Sequence, residues 1–206
     1  MLRAMPDLAQ LAHRQPGDPE LPRVFYASTQ TKHGTYPMVH IPVYGRPGTL
    51  WVGRAPGFGG RDSMQDEVDA LYEFGIRRVV CLVPEPSLAD TPHCANYGQR
   101  ARETFGEGFH SVPVADFGTP ADDATFEHEL ASVDDALRMG TPTLAHCMAG
   151  CGRTGMFVSC LLVRTGQAPQ TAIRTFRRVR GCGPETAQQV AYVFRYARRF
   201  GEGVCG

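Results

Sequence analysis

Apolar residues in this chain recur in two rhythms. Compact apolar runs, the length of buried strands, alternate with longer segments where apolar side chains return every three or four places, the spacing of a helix with one buried face. The strand-like runs cover residues 50–53, 76–83, 111–115 and 143–145. The helical spacing covers 63–74 (Met64, Val68, Leu71 and Tyr72), 121–139 (Phe126, Leu130, Val133 and Leu137), 169–180 (Ile173, Phe176 and Val179) and 184–200 (Val190, Val193, Phe194 and Ala197). Residues 156–163 are apolar all round and read as a buried helix; 97–105 carry a weaker helical period. Asp62 reads as a cap for the first helix, and Gly75 and Gly140 as stops. Upstream, 24–26 and 38–44 read as strands flanking a polar turn at 32–34, with no evident sheet partner, and the proline-studded residues 1–22 as a poorly ordered leader or one short helix. Alternating strands and helices predict an α/β domain with a central, largely parallel sheet flanked by helices, spanning 46–203. Residues 1–45 are expected to be an N-terminal extension, partly extended or disordered.

Charge adds little: 21 basic and 21 acidic side chains cancel, so net charge points to neither nucleic acid nor membrane. The basic set is almost all arginine, and seven arginines within 168–200 face a single acid, Glu185. That density reads as a solvated helix face or a surface for acidic phosphopeptides. No apolar run approaches membrane-spanning length, and residues 1–20 lack a signal-peptide core. Seven cysteines include no Cys-x-x-Cys pair, and several lie inside apolar runs. They are expected to be free thiols in a reducing cytoplasm, and no metal site is expected, since His93-Cys94 has no second pair. The glycine-rich stretch 57–60 lacks Walker spacing and reads as a connector.

The chemistry gathers in ten residues, His146-Cys147-Met148-Ala149-Gly150-Cys151-Gly152-Arg153-Thr154-Gly155. A buried strand before them and an apolar helix after them place the segment where free backbone N–H groups and a helix dipole converge on an anion. A cysteine at the start of such a turn should have a depressed pKa and act as a nucleophile without a separate base. Arg153, six residues on, can offer a bidentate fork to phosphate. Thr154 can donate its hydroxyl to the sulfur when a covalent intermediate breaks down. Gly150, Gly152 and Gly155 allow a tight turn and a close helix; Met148, Ala149, Cys151 and Gly152 fill the variable places without charge.

Cleaving a phosphomonoester by thiolate attack also requires a proton for the departing oxygen. Asp116 is the best-placed carboxyl, at the end of a strand and followed by a loop with Pro120; Asp122 and Asp123 are already explained as helix-start residues.

His-Cys-x-x-Gly-x-x-Arg-Thr-Gly resembles the phosphate loop of the cysteine-dependent protein phosphatases, tyrosine-specific and dual-specificity alike. Pro113-Val114-Ala115-Asp116-Phe117-Gly118-Thr119-Pro120 resembles the acid loop of the kinase-associated dual-specificity phosphatases. The resemblance covers residues 48–200 and implies the cysteine-phosphatase fold, no cofactor, and Asp116 as general acid and later base. Glu185-Thr186-Ala187-Gln188-Gln189 is similar to the family's glutamine loop, which makes Gln189 the side chain that positions the attacking water; Glu185 stands where the pattern has its first glutamine, and Val190 where an aromatic is common. His146 is implied to hold the loop and help stabilise the thiolate. Cys81, or Cys151 within the loop, could trap an oxidised Cys147 as a disulfide.

These residues lead to a cytoplasmic phosphatase acting on phosphoproteins, phosphotyrosine and also phosphoserine or phosphothreonine, through a cysteinyl-phosphate. No aromatic-bearing loop stands out that would deepen the pocket for phosphotyrosine alone. A phosphoinositide, nucleotide or RNA 5′ phosphate is the rival substrate, although the loop's variable places lack extra cations. A catalytically silent phosphopeptide-binding module is the rival from another class, and neither a nucleic-acid nor a membrane partner is evident.

Overall fold

The structure is a computed structural model that describes residues 26–31, 34–59 and 63–202. The β-branched and apolar runs form a six-stranded sheet. In chain order its strands are β1 (Tyr26–Gln30), β2 (Thr35–Ile41), β3 (Leu50–Gly53), β4 (Arg78–Cys81), β5 (Phe109–Ser111) and β6 (Thr143–His146), and across the sheet they run β1-β2-β3-β6-β4-β5. β3, β6, β4 and β5 pair in parallel, while β1 and β2 add an antiparallel hairpin along β3. The sheet is therefore mixed and largely parallel, and the partner the N-terminal strands lacked in the sequence is the β3 edge. Val24 and Phe25, the leader 1–22 and the Lys32-His33 turn lie outside the described residues.

Among the described residues the α-helices are α1 (Met64–Phe74), α2 (Glu85–Ala89), α3 (Tyr97–Phe105), α4 (Asp123–Arg138), α5 (Gly152–Arg164), α6 (Pro169–Arg180) and α7 (Ala187–Glu202). α1 packs with α3 and reaches β1 and β2; α4, α6 and α7 pack around α5. Ser63 caps α1 by accepting the Asp66 N–H at 3.1 Å, and Gly75 closes it at φ +110°. The expected cap, Asp62, lies outside the described residues. Tyr72 was expected inward but is 43 % exposed, with the Arg77 guanidinium stacked 4.2 Å over its ring. Glu67 takes the inward place: fully buried, it is held by both terminal nitrogens of Arg54 and by the Gly57 N–H at 2.7 Å, which ties the glycine-rich connector to α1.

Every residue of β6 is buried, and so is every residue of α5 from Gly152 to Val163. A fully buried strand thus hands over to an almost fully buried helix, and the ten-residue motif spans the turn between them. Core packing on both sides fixes where that turn begins and ends.

Candidate active site

Four successive carbonyls of the turn are tied down. The Cys147 carbonyl accepts from His146 Nδ1–H at 3.1 Å, that of Met148 from Ala55 N–H at 2.8 Å, and those of Ala149 and Gly150 from Arg180 at 3.0 and 3.1 Å. In a planar trans peptide each carbonyl points opposite to the following N–H. The amides of Met148, Ala149, Gly150 and Cys151 therefore face the other way, around Cys147, and the start of α5 adds Gly152 and Arg153 to the ring. Gly150 is needed here: its φ is +74°, and a Cβ would meet the Gly53 carbonyl oxygen at 2.1 Å. Cys147 lies at the base, 3 % exposed.

Arg153 closes the cup. It is 5 % exposed, and its guanidinium donates to the Val114 carbonyl at 3.2 Å and meets Asp116 Oδ1 at 3.0 Å. The structure thus joins two predicted residues from separate parts of the chain, Arg153 of the ten-residue motif and Asp116 of the acid loop. Asp116 has a 67 % exposed side chain and caps the N–H of Phe117 at 3.1 Å, so its carboxyl can leave the guanidinium without a burial penalty. Asp122 caps α4 through the Ala124 N–H at 2.9 Å, and Asp123 binds Tyr192 and Arg199, so both have structural roles away from the cup.

His146 is fully buried, and burial lowers its pKa to about 4, so the ring is neutral near pH 7. A carbonyl can only accept, which places the proton on Nδ1; Nε2 is then the acceptor for the Tyr97 hydroxyl at 2.7 Å. His146 therefore fixes the first carbonyl of the loop and brings no cationic charge to Cys147. The Thr154 hydroxyl is buried without a hydrogen-bond partner among the described residues. Cys81 pairs in register with His146, and its thiol donates weakly to the Val83 carbonyl at 3.7 Å. Burial pushes its pKa up to about 12, which keeps it protonated.

Cys151 is not a free thiol: it is bonded to Cys182, 31 residues away, with the Cα atoms 5.5 Å apart. This corrects the expectation of free cysteines throughout and removes Cys151 as a trap for Cys147. The turn after α6 folds back onto the phosphate loop, so two cysteines remote in sequence share a site; Gly183, at φ +65°, allows the approach, since a Cβ there would meet the Cys151 carbonyl oxygen at 2.2 Å. Gln189 is fully buried. Its Oε1 accepts from the N–H groups of Glu185 (3.0 Å) and Thr186 (3.4 Å), and its Nε2 donates to the Gly118 carbonyl at 3.2 Å.

Three residues here escape sequence reading. Tyr97 opens a segment with only weak helical period, and nothing marks it as a partner of His146. Arg180 looks like one more arginine of a basic helix, yet it holds two loop carbonyls. Phe117, beside Asp116, is 60 % exposed with φ +56°, so the acid loop does carry an aromatic at the rim of the cup. Its neighbour Gly118 was the only hint of an unusual backbone there. Among the described residues no group of His, Cys, Asp and Glu gathers to hold a metal, and no helix is long and apolar enough to cross a membrane.

Residues 57–198 match the family model described as PTP-SAK, a Swiss Army Knife protein DSP-PTPase phosphatase domain. Cyclin-dependent kinase inhibitor 3 of Rattus norvegicus is 32 % identical over 143 residues, and that of Homo sapiens 30 % over 141; each alignment covers 66 % of this chain and 64 % of the relative's length. The fold superposes with a TM-score of 0.66, at 20 % identity, on kinase-associated phosphatase carrying a serine in place of its catalytic-site cysteine, across 88 % of this chain and 98 % of that one. A buried cysteine in the strand-to-helix turn, a buried arginine six residues on, a carboxyl paired with that arginine, and a family match spanning all three place the chain among the dual-specificity-type members of the cysteine-dependent phosphatase family.

Proposed function

We propose that this chain is a phosphoprotein phosphatase that works through a cysteinyl-phosphate. The observation that carries the reading is the ion pair between Asp116 and Arg153, the arginine six residues after the buried Cys147. A phosphate entering it would find the inward amides and the Arg153 fork for its three non-bridging oxygens, in a site with little water. The Cys147 sulfur attacks phosphorus; an S–P bond forms and the ester P–O bond breaks, while the departing oxygen takes a proton from Asp116. Asp116, now a carboxylate, accepts a proton from the water that attacks the thiophosphate. The S–P bond breaks, the Thr154 hydroxyl, which has no partner among the described residues, donates to the leaving sulfur, and inorganic phosphate departs. The names of the relatives, a cyclin-dependent kinase inhibitor and a kinase-associated phosphatase, support a phosphorylated protein as the substrate, and Phe117 at the rim supports phosphotyrosine within that class.

The test is release of p-nitrophenolate from p-nitrophenyl phosphate with a chelator present. Turnover is expected for the wild type and only background release for Cys147→Ser, because every step passes through the sulfur. Equal release by the two proteins would sink the mechanism, and strict dependence on added metal would do the same.

A further inference from the structure

The segment between α6 and α7 is fastened on two sides. Toward the phosphate loop it holds Cys151 through Cys182, next to Arg180, which binds the Ala149 and Gly150 carbonyls. Toward the acid loop, the Thr186 hydroxyl donates to the Phe117 carbonyl at 3.2 Å and Gln189 Nε2 donates to the Gly118 carbonyl at 3.2 Å. Both side chains are set in place beforehand: Thr186 Oγ1 accepts the Gln189 N–H at 3.1 Å, and Gln189 Oε1 accepts the Glu185 and Thr186 amides. Turning the Gln189 amide toward the cup would strand two backbone donors and one carbonyl in a partly buried place.

What these two side chains hold is a backbone with a reason to leave. Phe117 has φ +56°, a left-handed conformation unfavourable for a bulky side chain. Among the described residues the Asp116 side chain is anchored by Arg153 and by the Phe117 N–H, and phosphate would claim Arg153. Once substrate binds, the Phe117 and Gly118 carbonyls become the main fixed points of the loop.

We propose that Thr186 and Gln189 are positioning residues that latch the acid loop over the phosphate cup, keeping Asp116 within reach of the leaving oxygen, and that the Gln189 amide serves this latch rather than the attacking water. The inference rests on the phosphatase reading above. The latch acts on the step in which the S–P bond forms, the P–O bond breaks and Asp116 gives its proton to the departing oxygen. When the acid drifts away, that oxygen must leave as an anion. p-Nitrophenolate tolerates this; phenolate, a poorer leaving group, does not.

The experiment compares phenyl phosphate with p-nitrophenyl phosphate for Thr186→Val, Thr186→Ser and Gln189→Leu, each also in an Asp116→Asn background. Thr186→Val should lower kcat/KM about tenfold on phenyl phosphate and less than about threefold on p-nitrophenyl phosphate. Thr186→Ser, which keeps the hydroxyl, should restore both. In the Asp116→Asn background Thr186→Val should change nothing further, which separates a latch from a general loss of structure. Thr186 is half-buried, so its variants remain informative if Gln189→Leu does not fold. Equal losses on both substrates, or losses that persist without Asp116, overturn the latch. So does a burst of p-nitrophenolate from Gln189→Leu with kcat/KM unchanged, which puts Gln189 on the water. A wild-type protein that cleaves neither ester overturns the phosphatase reading, and the latch with it.

Discussion

Phe117 combines two properties that a folded chain usually avoids in one residue: an exposed aromatic ring and a left-handed backbone. For a bulky L-residue that conformation costs about 1–2 kcal/mol, and the ring, 60 % exposed, recovers little of it by burial. A contact with substrate would explain both. Phe117→Gly removes the steric conflict, offset by the roughly 0.5–1 kcal/mol of extra backbone entropy that glycine loses on folding. Stability in urea should therefore stay level or rise by up to ~1 kcal/mol, while kcat/KM on a phosphotyrosine peptide falls and that on the matching phosphothreonine peptide does not. A drop in stability of several kcal/mol would show that the ring is structural. This residue was present in the sequence, inside the very stretch that resembles the acid loop, yet neither its exposure nor its φ is marked there by any spacing.

At the scale of elements, the helices with a strong apolar period were readable and their ends less so. The 169–180 period corresponds to α6 residue for residue, with Pro169 at its first turn and Gly181 as its stop at φ +84°. The last helix, expected from residue 184, begins at Ala187, because Thr186 turns its hydroxyl to cap Gln189 and Pro184–Glu185 lie outside the helix, against Gly152 and Gly155 at the start of α5. Tyr192 and Tyr196 join the inward face of α7, their hydroxyl groups having hidden that side from a purely apolar count. The link from Cys151 to Cys182 makes a further test at this scale. It closes a loop spanning 31 positions, and restricting an unfolded chain that far is worth about 3–4 kcal/mol in the chain-entropy account. Cys182→Ser, or reductant added to the wild type, should lower the urea midpoint accordingly. A midpoint indifferent to both would show that the bond contributes nothing to stability.

Across the whole molecule, two buried histidines set the acid limit. Burial lowers both His40 and His146 to about 4 from an ordinary value of 6.5. A depressed basic pKa means that the unfolded chain takes up protons first as pH falls, so this stability is fully present above 6.5 and is lost toward pH 4. Each histidine weakens the fold by up to ~1.4 kcal/mol per pH unit within that window. Moving from pH 7 to pH 5 should cost on the order of 3 kcal/mol in a urea titration, and a flat profile over that range would mean that His146 and His40 accept protons in place. Glu129 and Asp134, whose carboxyls are held below their usual range against the cost of burial by His110 and Arg78 and by Arg46 and Arg138, extend the loss at still lower pH. Local order alone settled a good part of this protein. The strand-to-helix handover, the cysteine, arginine and threonine at fixed offsets and the apolar stripes all follow from neighbours a few residues apart, where backbone periodicity and turn chemistry act. The order of the strands across the sheet, the meeting of Arg153 with Asp116, the Tyr97 support of His146, the Cys151–Cys182 bond and the fastening of residues 182–189 to both loops were decided only when the chain folded. Each of those depends on two segments brought together by burying a common core, and contacts of that kind leave no period or spacing in a single sequence.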